Sequence, residues 1–329
     1  MPLPTTFAGT SARGEGLFVL LKNGPVVYKN VYSVNQGSNN ISKIPLSSFT
    51  VSSTLAIGSG TGPIAMATDP TSTYAYVCNQ TNSTIKKIDL SSFTISSTLT
   101  LASGSNPVDI KIDPTGTYAY TANLTGSISK IDLSSFTVSS TLTNTGTFNG
   151  LQALSIDPTG TYLYTSNYGA GTISKVSLSS FTISSSLSGM GNPLYSVIDS
   201  TGTYLYVPDS ADIPSNIYKV SLSSFTKTST LRVANASGNN QVAIDKNGTY
   251  LYLTSTFASI LQKIDLSSFT VSSTLSIPLY PYGVVLDSNS TYAYVSEKSN
   301  SYVYKVSLSS FTSSGTITVG SNPYNLGIS

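Results

Sequence analysis

The sequence predicts an all-β fold, a seven-bladed β-propeller with four-stranded blades in which the C-terminal strand closes the first blade. Three observations predict it. The string LSSFT occurs seven times, with its Phe at Phe49, Phe93, Phe136, Phe181, Phe225, Phe269 and Phe311, so one unit recurs every 42 to 45 residues of the 329-residue chain. Each unit holds short runs rich in Val, Ile, Thr and Tyr that alternate apolar and polar, and no period of 3.6 is sustained anywhere. Finally, residues 320–329 (GSNPYNLGIS) match 104–113 (GSNPVDIKID) and stop where the next turn would begin. Four strands of about six residues and four turns of about five fill about 44 residues, the size of one propeller blade.

The third unit shows the plan. Residues 107–113 (PVDIKID) read as the first strand, and DPTGT turns the chain, with Pro114 presetting φ and Gly116 free to take positive φ. Residues 118–123 (YAYTAN), 127–133 (SISKIDL) and 137–143 (TVSSTLT) read as the other three strands, and LSSFT makes the corner before the last. A lone blade cannot cover its own faces, whereas seven packed radially cover one another and leave only short edges. In the first unit, strands two to four are expected around 26–32, 40–46 and 50–56, and the innermost strand from 323–329. Residues 16–22 (GLFVLLK) are the rival for that place. With the C-terminal strand in it, residues 1–24 form an arm and 25–329 the propeller.

Composition removes many chemistries. Charged residues are only 9% of the chain, with 16 basic and 14 acidic, against about 25% in ordinary globular domains. Polarity comes instead from 61 Ser and 42 Thr. No basic run exceeds Lys86-Lys87, which argues against a nucleic-acid partner. There is no His, no Trp and a single Cys, Cys78, so a disulfide framework, a Cys/His zinc site and a His-based catalytic relay cannot be built. No stretch approaches 18 apolar residues, so no membrane insertion is expected. The opening residues lack the basic start and apolar core of a secretory signal.

The strings YVCN (76–79), YTAN (120–123) and YTSN (164–167), each followed by a strand such as TIKKIDL, resemble the YVTN family of β-propeller repeats over about residues 26–329. The resemblance implies the propeller fold. Such propellers serve as surface-layer, adhesion and binding modules, and relatives with similar blades include enzymes. The later units depart from the signature, as YVPD (206–209), YLTS (252–255) and YVSE (294–297). The first ten residues, MPLPTTFAGT, resemble the opening of some tailed-phage tail and minor virion proteins.

Several recurring groups invite a functional reading. Asp69, Asp113, Asp157, Asp199, Asp245 and Asp287 precede the turn and could ring a channel mouth, but Asp at a turn start accepts backbone N–H bonds, and that structural role is expected. The pairs Tyr74/Tyr76, Tyr118/Tyr120, Tyr162/Tyr164, Tyr204/Tyr206, Tyr250/Tyr252 and Tyr292/Tyr294 put two rings on one strand face, expected to pack between blades. Lys43, Lys87, Lys130, Lys175, Lys219, Lys263 and Lys305 share one offset, and in three units K-I-D places Lys and Asp on one face, so each head is expected to reach water or that carboxylate. Cys78 occupies a small-residue slot and is expected to be unreactive. The N-x-S/T sequons at Asn40, Asn79, Asn82, Asn123, Asn235, Asn247 and Asn289 are as many as the Asn, Ser and Thr content produces by chance.

No catalytic, metal-binding or cofactor-binding residue is therefore expected. Function is sought where repetition breaks, in the arm 1–24 and in 33–40, 143–150, 208–216 and 233–240. The expected function is that of a non-catalytic structural or interaction module on the surface of a large assembly, with a virion (capsid decoration or tail) as the setting. Its partners would be other proteins of that assembly and surface glycans. The alternatives are a glycan-binding or adhesion module of a cell envelope, extracellular in location, and a propeller lactonase-like enzyme.

Overall fold

Every blade is an antiparallel sheet ordered from the channel outward, and the guide blade falls where its sequence predicts. Its strands are Pro107–Ile112, Tyr118–Asn123, Ser127–Asp132 and Thr137–Thr143. The computed structural model describes residues 29–210, 215–234, 236 and 238–329. Within them, seven four-stranded sheets form. No helix among these residues is long and apolar enough to cross a membrane.

The first blade is closed by the end of the chain. Pro323–Ile328 pairs with Asn30–Asn35, aligning Val31 with Ile328 and Ser33 with Leu326. Ser329 tightens the clasp: its carbonyl accepts the amides of Lys29 (2.6 Å) and Asn30 (2.8 Å), and its hydroxyl donates to Tyr32 Oη (3.0 Å). The rival segment 16–22 and the arm 1–24 lie outside the described residues. The second strand of this blade starts at Asn30, four residues later than the expected 26–32. Residues 26–28 of that expectation lie outside the described residues; pairing fixes the register of the rest, with Val31 opposite Ile44 and Asn35 opposite Asn40. This makes Tyr32–Asn35 (YSVN) the first unit's own copy of the signature. It also removes 33–35 from the candidate loop 33–40, since those three residues are buried strand.

Adjacent blades are locked by the LSSFT corner. Each corner Phe has a left-handed backbone, with φ between 49° and 52° in all seven copies. For a residue with a Cβ that conformation costs about 1–2 kcal/mol. It aims the ring at the preceding blade, against the second Tyr of the pair. Tyr76 meets Phe136 at 5.8 Å between centroids, Tyr120 meets Phe181 at 5.9 Å, and Tyr164 meets Phe225 at 5.9 Å. The series closes on itself, because Tyr294 of the last blade meets Phe49 of the first at 5.8 Å and Tyr32 meets Phe93 at 5.9 Å. Such tilted pairs contribute about 0.5–1.5 kcal/mol beyond the area they bury. An apolar cluster of Val31, Ile44, Tyr294, Val303 and Leu326 joins last blade to first in the same way.

The outer strands explain the hydroxyl content. In Thr94–Thr100 exposed and half-buried residues alternate strictly. Each fully formed outer pair carries one register shift, as between Lys87 and Ile88, and the skipped Ser96 bonds the Lys87 carbonyl at 3.2 Å. A bulge of this kind deepens the strand twist, and Ser supplies the hydroxyl that satisfies the group it frees.

Candidate functional site

The channel has two mouths. One is built from the turns between first and second strands, and there the recurring acids sit. Asp69, Asp113, Asp157 and Asp199 line a cavity of about 550 Å³. Their oxygens are already engaged. Asp113 accepts the amides of Thr117 (2.9 Å) and Tyr118 (3.2 Å) and the hydroxyl of Thr115 (2.9 Å). Asp69, Asp157 and Asp199 repeat the pattern, and Asp245 and Asp287 accept the corresponding Thr amide. The amides reached are four and five residues on, not two as the turn chemistry suggests; it is the Thr hydroxyl that lies two residues on. No group of three His, Cys, Asp or Glu side chains that could hold a metal occurs among the described residues.

The recurring lysines do not reach their K-I-D carboxylates. Six of the seven ammonium groups lie over the first Tyr of a pair, as do Lys87 at 4.1 Å from the Tyr74 centroid, Lys130 at 4.0 Å from Tyr118 and Lys175 at 3.9 Å from Tyr162, while Lys43 lies over Phe93 at 5.5 Å. The cross-strand register puts Lys87 opposite Tyr76, so its stem runs along the Tyr face while the quadrupole of the outer ring attracts the head. The matching acids cap the LSSFT corner. Asp132 accepts the amides of Ser134 and Ser135 at 2.9 Å and the Ser134 hydroxyl at 2.6 Å, and these bonds hold its carboxyl down at about 2. The signature Asn is more than a turn residue. Asn123 is buried, accepts from Thr121 (3.1 Å) and donates to Ser127 (3.2 Å) and Ser129 (3.0 Å), tying second strand to third. Cys78 is buried beside the Asp109 carbonyl, and desolvation pushes its thiol well up.

Buried polar side chains reach into the channel from its innermost strands. The innermost strands have no ladder partner on the channel side, so their inward N–H groups need acceptors. Asp109, almost wholly buried, accepts the amides of Ile110 and, from the next blade, Leu154, each at 2.9 Å, and Lys111 donates to both its oxygens at 2.8 and 2.9 Å. Gln241 does the same for Val284 at 3.2 Å and is hydrogen-bonded to the buried Tyr195. Above them Tyr282 donates to Tyr324 at 2.6 Å, their rings 4.2 Å apart.

Tyr282 lines the floor of the second mouth, a cavity of about 600 Å³ built from loops between second and third strands and between blades. Its wall is aromatic. Phe257 is 72% exposed and Tyr280 44%, and the two meet edge to face at 6.2 Å. Tyr168 stands exposed beside the same cavity. Leu279 and Tyr280 both hold φ at 55°, which swings the loop outward before Pro281 starts the next strand. One cation overlooks the floor: Lys298, with Nζ 4.4 Å from the Tyr282 centroid and 4.0 Å from that of Tyr324. Burial pushes its ammonium down to about 8. Among the described residues no carboxylate lies within ion-pair distance of it, the one ion pair there being Lys111–Asp109. The neighbouring Glu297 turns away to accept the amides of Ser299 (2.6 Å) and Asn300 (2.9 Å).

Sequence reasoning did not single out Tyr168, Phe257, Tyr280 or Lys298, but two of its candidate segments reach the mouth, 208–216 through Ser210 and 233–240 through Gly238. Of its candidate segments, 143–150 carries Phe148, which is fully buried, and 233–240 begins with the buried Val233; within 208–216, residues 211–214 lie outside the described set. A signal existed. The position after the signature residue holds Gln36, Gln80, Leu124, Tyr168, Ser210, Thr256 and Lys298, a change of chemical class from unit to unit. The stretch LYPYG at 279–283 stands where other units read GSNP.

Known proteins match this architecture. The family of seven-bladed β-propeller lactonases matches residues 80–306. Among solved structures, the hydrazine synthase of Kuenenia stuttgartiensis is similar in fold, with a TM-score of 0.77 at 16% identity, over 89% of this chain and 99% of that one. No curated protein matches.

Proposed function

We infer that this chain, which belongs to the seven-bladed β-propeller lactonase family, is a non-catalytic propeller of the YVTN type that serves as a rigid interaction module on the surface of a larger assembly. One observation carries the reading. The recurring ionisable groups are consumed by the scaffold, while chemically varied side chains gather at a single mouth. A closed ring of interlocked blades holds that mouth in place at little entropic cost on binding. A virion surface, as capsid decoration or tail component, is the proposed setting, supported by the MPLPTTFAGT opening. Residues 1–24 would then dock the module. Mass spectrometry of purified particles tests the setting: peptides of this chain in stoichiometric amount are expected, and their absence overturns it.

The family name and Lys298 favour one competing reading, lactone hydrolysis. A hydrolytic site needs a base, a polarising donor and a place for water in mutual reach. Lys298 faces two rings, and the buried channel carboxylate Asp109 is saturated by two amides and Lys111. No turnover is expected on a panel of sugar and acyl-homoserine lactones. Turnover lost in Lys298→Met would establish the enzymatic reading instead.

A further inference from the structure

We propose that the loop mouth is a carbohydrate site selective for a sugar ring bearing a carboxylate, such as a terminal uronic or sialic acid, with Phe257 and Tyr280 packing against the ring and Lys298 receiving the carboxylate. This rests on the reading of the chain as a binding module and names its ligand.

Four features of the mouth fit that ligand. The cavity, about 600 Å³, lies within the range of about 300–1,000 Å³ typical of small-ligand sites. Its wall offers flat apolar rings that stay exposed although the rest of the propeller buries its aromatics between blades: Phe257 projects while Tyr120 and its equivalents are sealed. Exposed aromatics grouped about one concavity mark a binding surface, and the apolar C–H face of a sugar ring matches them. Hydroxyls of Tyr280, Ser210 and Ser299 and the amide of Asn322 line the same cavity, so a purely apolar ligand would desolvate polar groups that a sugar's hydroxyls can satisfy.

The fourth feature fixes the charge. Lys298 is a half-buried ammonium with no carboxylate in reach among the described residues, held over Tyr282 and Tyr324. Ring faces attract a cation but do not neutralise it. A single cation matches a single negative charge; a phosphate ester would call for a second cation or a cluster of free amides, and among the described residues the cavity lining holds one Lys. An incoming carboxylate gives this ammonium a charge-assisted hydrogen bond.

Two further contacts make the wall rigid. The Phe257 ring lies over Gly238, whose φ is 61° and where an added Cβ would stand 2.5 Å from the ring. Phe257 and Tyr280 brace each other edge to face. Gly238→Ala therefore displaces Phe257 without removing any ligand-facing group.

Isothermal titration against oligosaccharides ending in glucuronate or N-acetylneuraminate, beside counterparts ending in glucose or galactose, tests the site. Acidic probes are expected to bind about ten-fold or more tighter than neutral ones. Lys298→Met should erase that preference and Lys298→Arg retain most of it. Phe257→Ala and Gly238→Ala should weaken acidic and neutral probes alike, with melting curves showing that each variant is folded. Equal affinity for acidic and neutral probes, or a preference that survives Lys298→Met, overturns the assignment. So does a folded protein that binds no glycan while present in purified particles, an outcome that leaves the interaction module standing. Glycan binding by a chain absent from every particle supports the site and removes the virion setting.

Discussion

The two mouths of the channel are made from the same seven units and behave as opposites. At the turn mouth each acid is satisfied by its own turn, as when Asp113 takes the amides of Thr117 and Tyr118. At the loop mouth Lys298 lacks a counter-charge among the described residues and Phe257 lacks cover. The difference follows from where each loop sits. The turn between first and second strands is a five-residue device that must be tight and has one good chemical solution, D-x-[TN]-[GS]-T. The loops opposite only have to span, so they can vary in length and side chain without loosening the ring. Repetition therefore marks scaffold here, and its interruption marks the place where binding chemistry can accumulate.

The largest test of this contrast compares an interlock with an exposed wall residue. Tyr120→Ala removes a buried ring from its seat against Phe181, and a cavity of that size costs about 3–5 kcal/mol. Phe257→Ala, at an exposed ring, is expected to change stability by no more than about 0.5 kcal/mol while weakening glycan binding. Urea unfolding of both variants measures the difference. Equal losses would mean that the mouth aromatics also hold the scaffold together. Next in size is Asp113→Ala, which strands the Thr117 and Tyr118 amides and should cost about 1.5–3 kcal/mol with affinity at the other mouth unchanged. Affinity lost with Asp113 would contradict the division of labour.

Lys298 sharpens the comparison through pH. Its folded value, about 8, lies below the ordinary 10.5, so between those limits the unfolded chain holds more protons and stability rises with pH. Below about pH 8 both states are protonated and the burial penalty is constant. Lys298→Met removes that penalty. After discounting for the solvent that still reaches the group, the gain is about 1–2 kcal/mol at pH 7, shrinking towards nothing by about pH 10.5. Thermal melts at pH 7 and pH 10 measure it. A variant less stable than the wild type at pH 7 would show that the rings alone hold the ammonium favourably, and the case for an absent anion would fall.

Much of the scaffold was legible because a ring of like blades writes itself seven times. LSSFT, the Tyr pairs and DPTGT locate strands, corners and turns, and the match of 320–329 to 104–113 points to the clasp later seen between Ile328 and Val31. What failed was local and has physical causes. The second strand of the first blade runs on to Asn35, past the expected end at 32, because its register is set by cross-strand pairing and by Tyr32 meeting Phe93, neither of which composition encodes. In the three K-I-D units the lysine head was expected to reach water or the acid two residues on, but the ring on the neighbouring strand competes for the same head and wins. The left-handed Phe is invisible because nothing in the string LSSFT signals positive φ. The loop mouth was reached only at its edge, through Ser210 and Gly238: Phe257, Tyr280 and Lys298 stand on separate loops of two neighbouring blades, and only the packing of one blade on the next brings them to one cavity.

The smallest effect tests whether the signature Asn belongs wholly to the scaffold. In the third and fourth blades its side-chain carbonyl accepts a Thr hydroxyl two residues back, Thr121 for Asn123 and Thr165 for Asn167, and in the first blade Ser33 serves Asn35. In the second blade that place is held by Val77, and the buried Oδ1 of Asn79 has no partner. A buried acceptor left unmet costs about 1–3 kcal/mol, part of which relaxation of neighbours recovers. Val77→Thr supplies the missing hydroxyl at nearly constant shape, in a site the homologous blades already show to accept Thr. The expected gain is about 0.5–1.5 kcal/mol, read as a shift in the urea midpoint at unchanged slope. Thr121→Val should lose a similar amount by recreating the orphan in the third blade. If Val77→Thr destabilises, the second blade is packed around its methyl groups too tightly to admit the polar atom, and the units are less interchangeable than their sequences suggest.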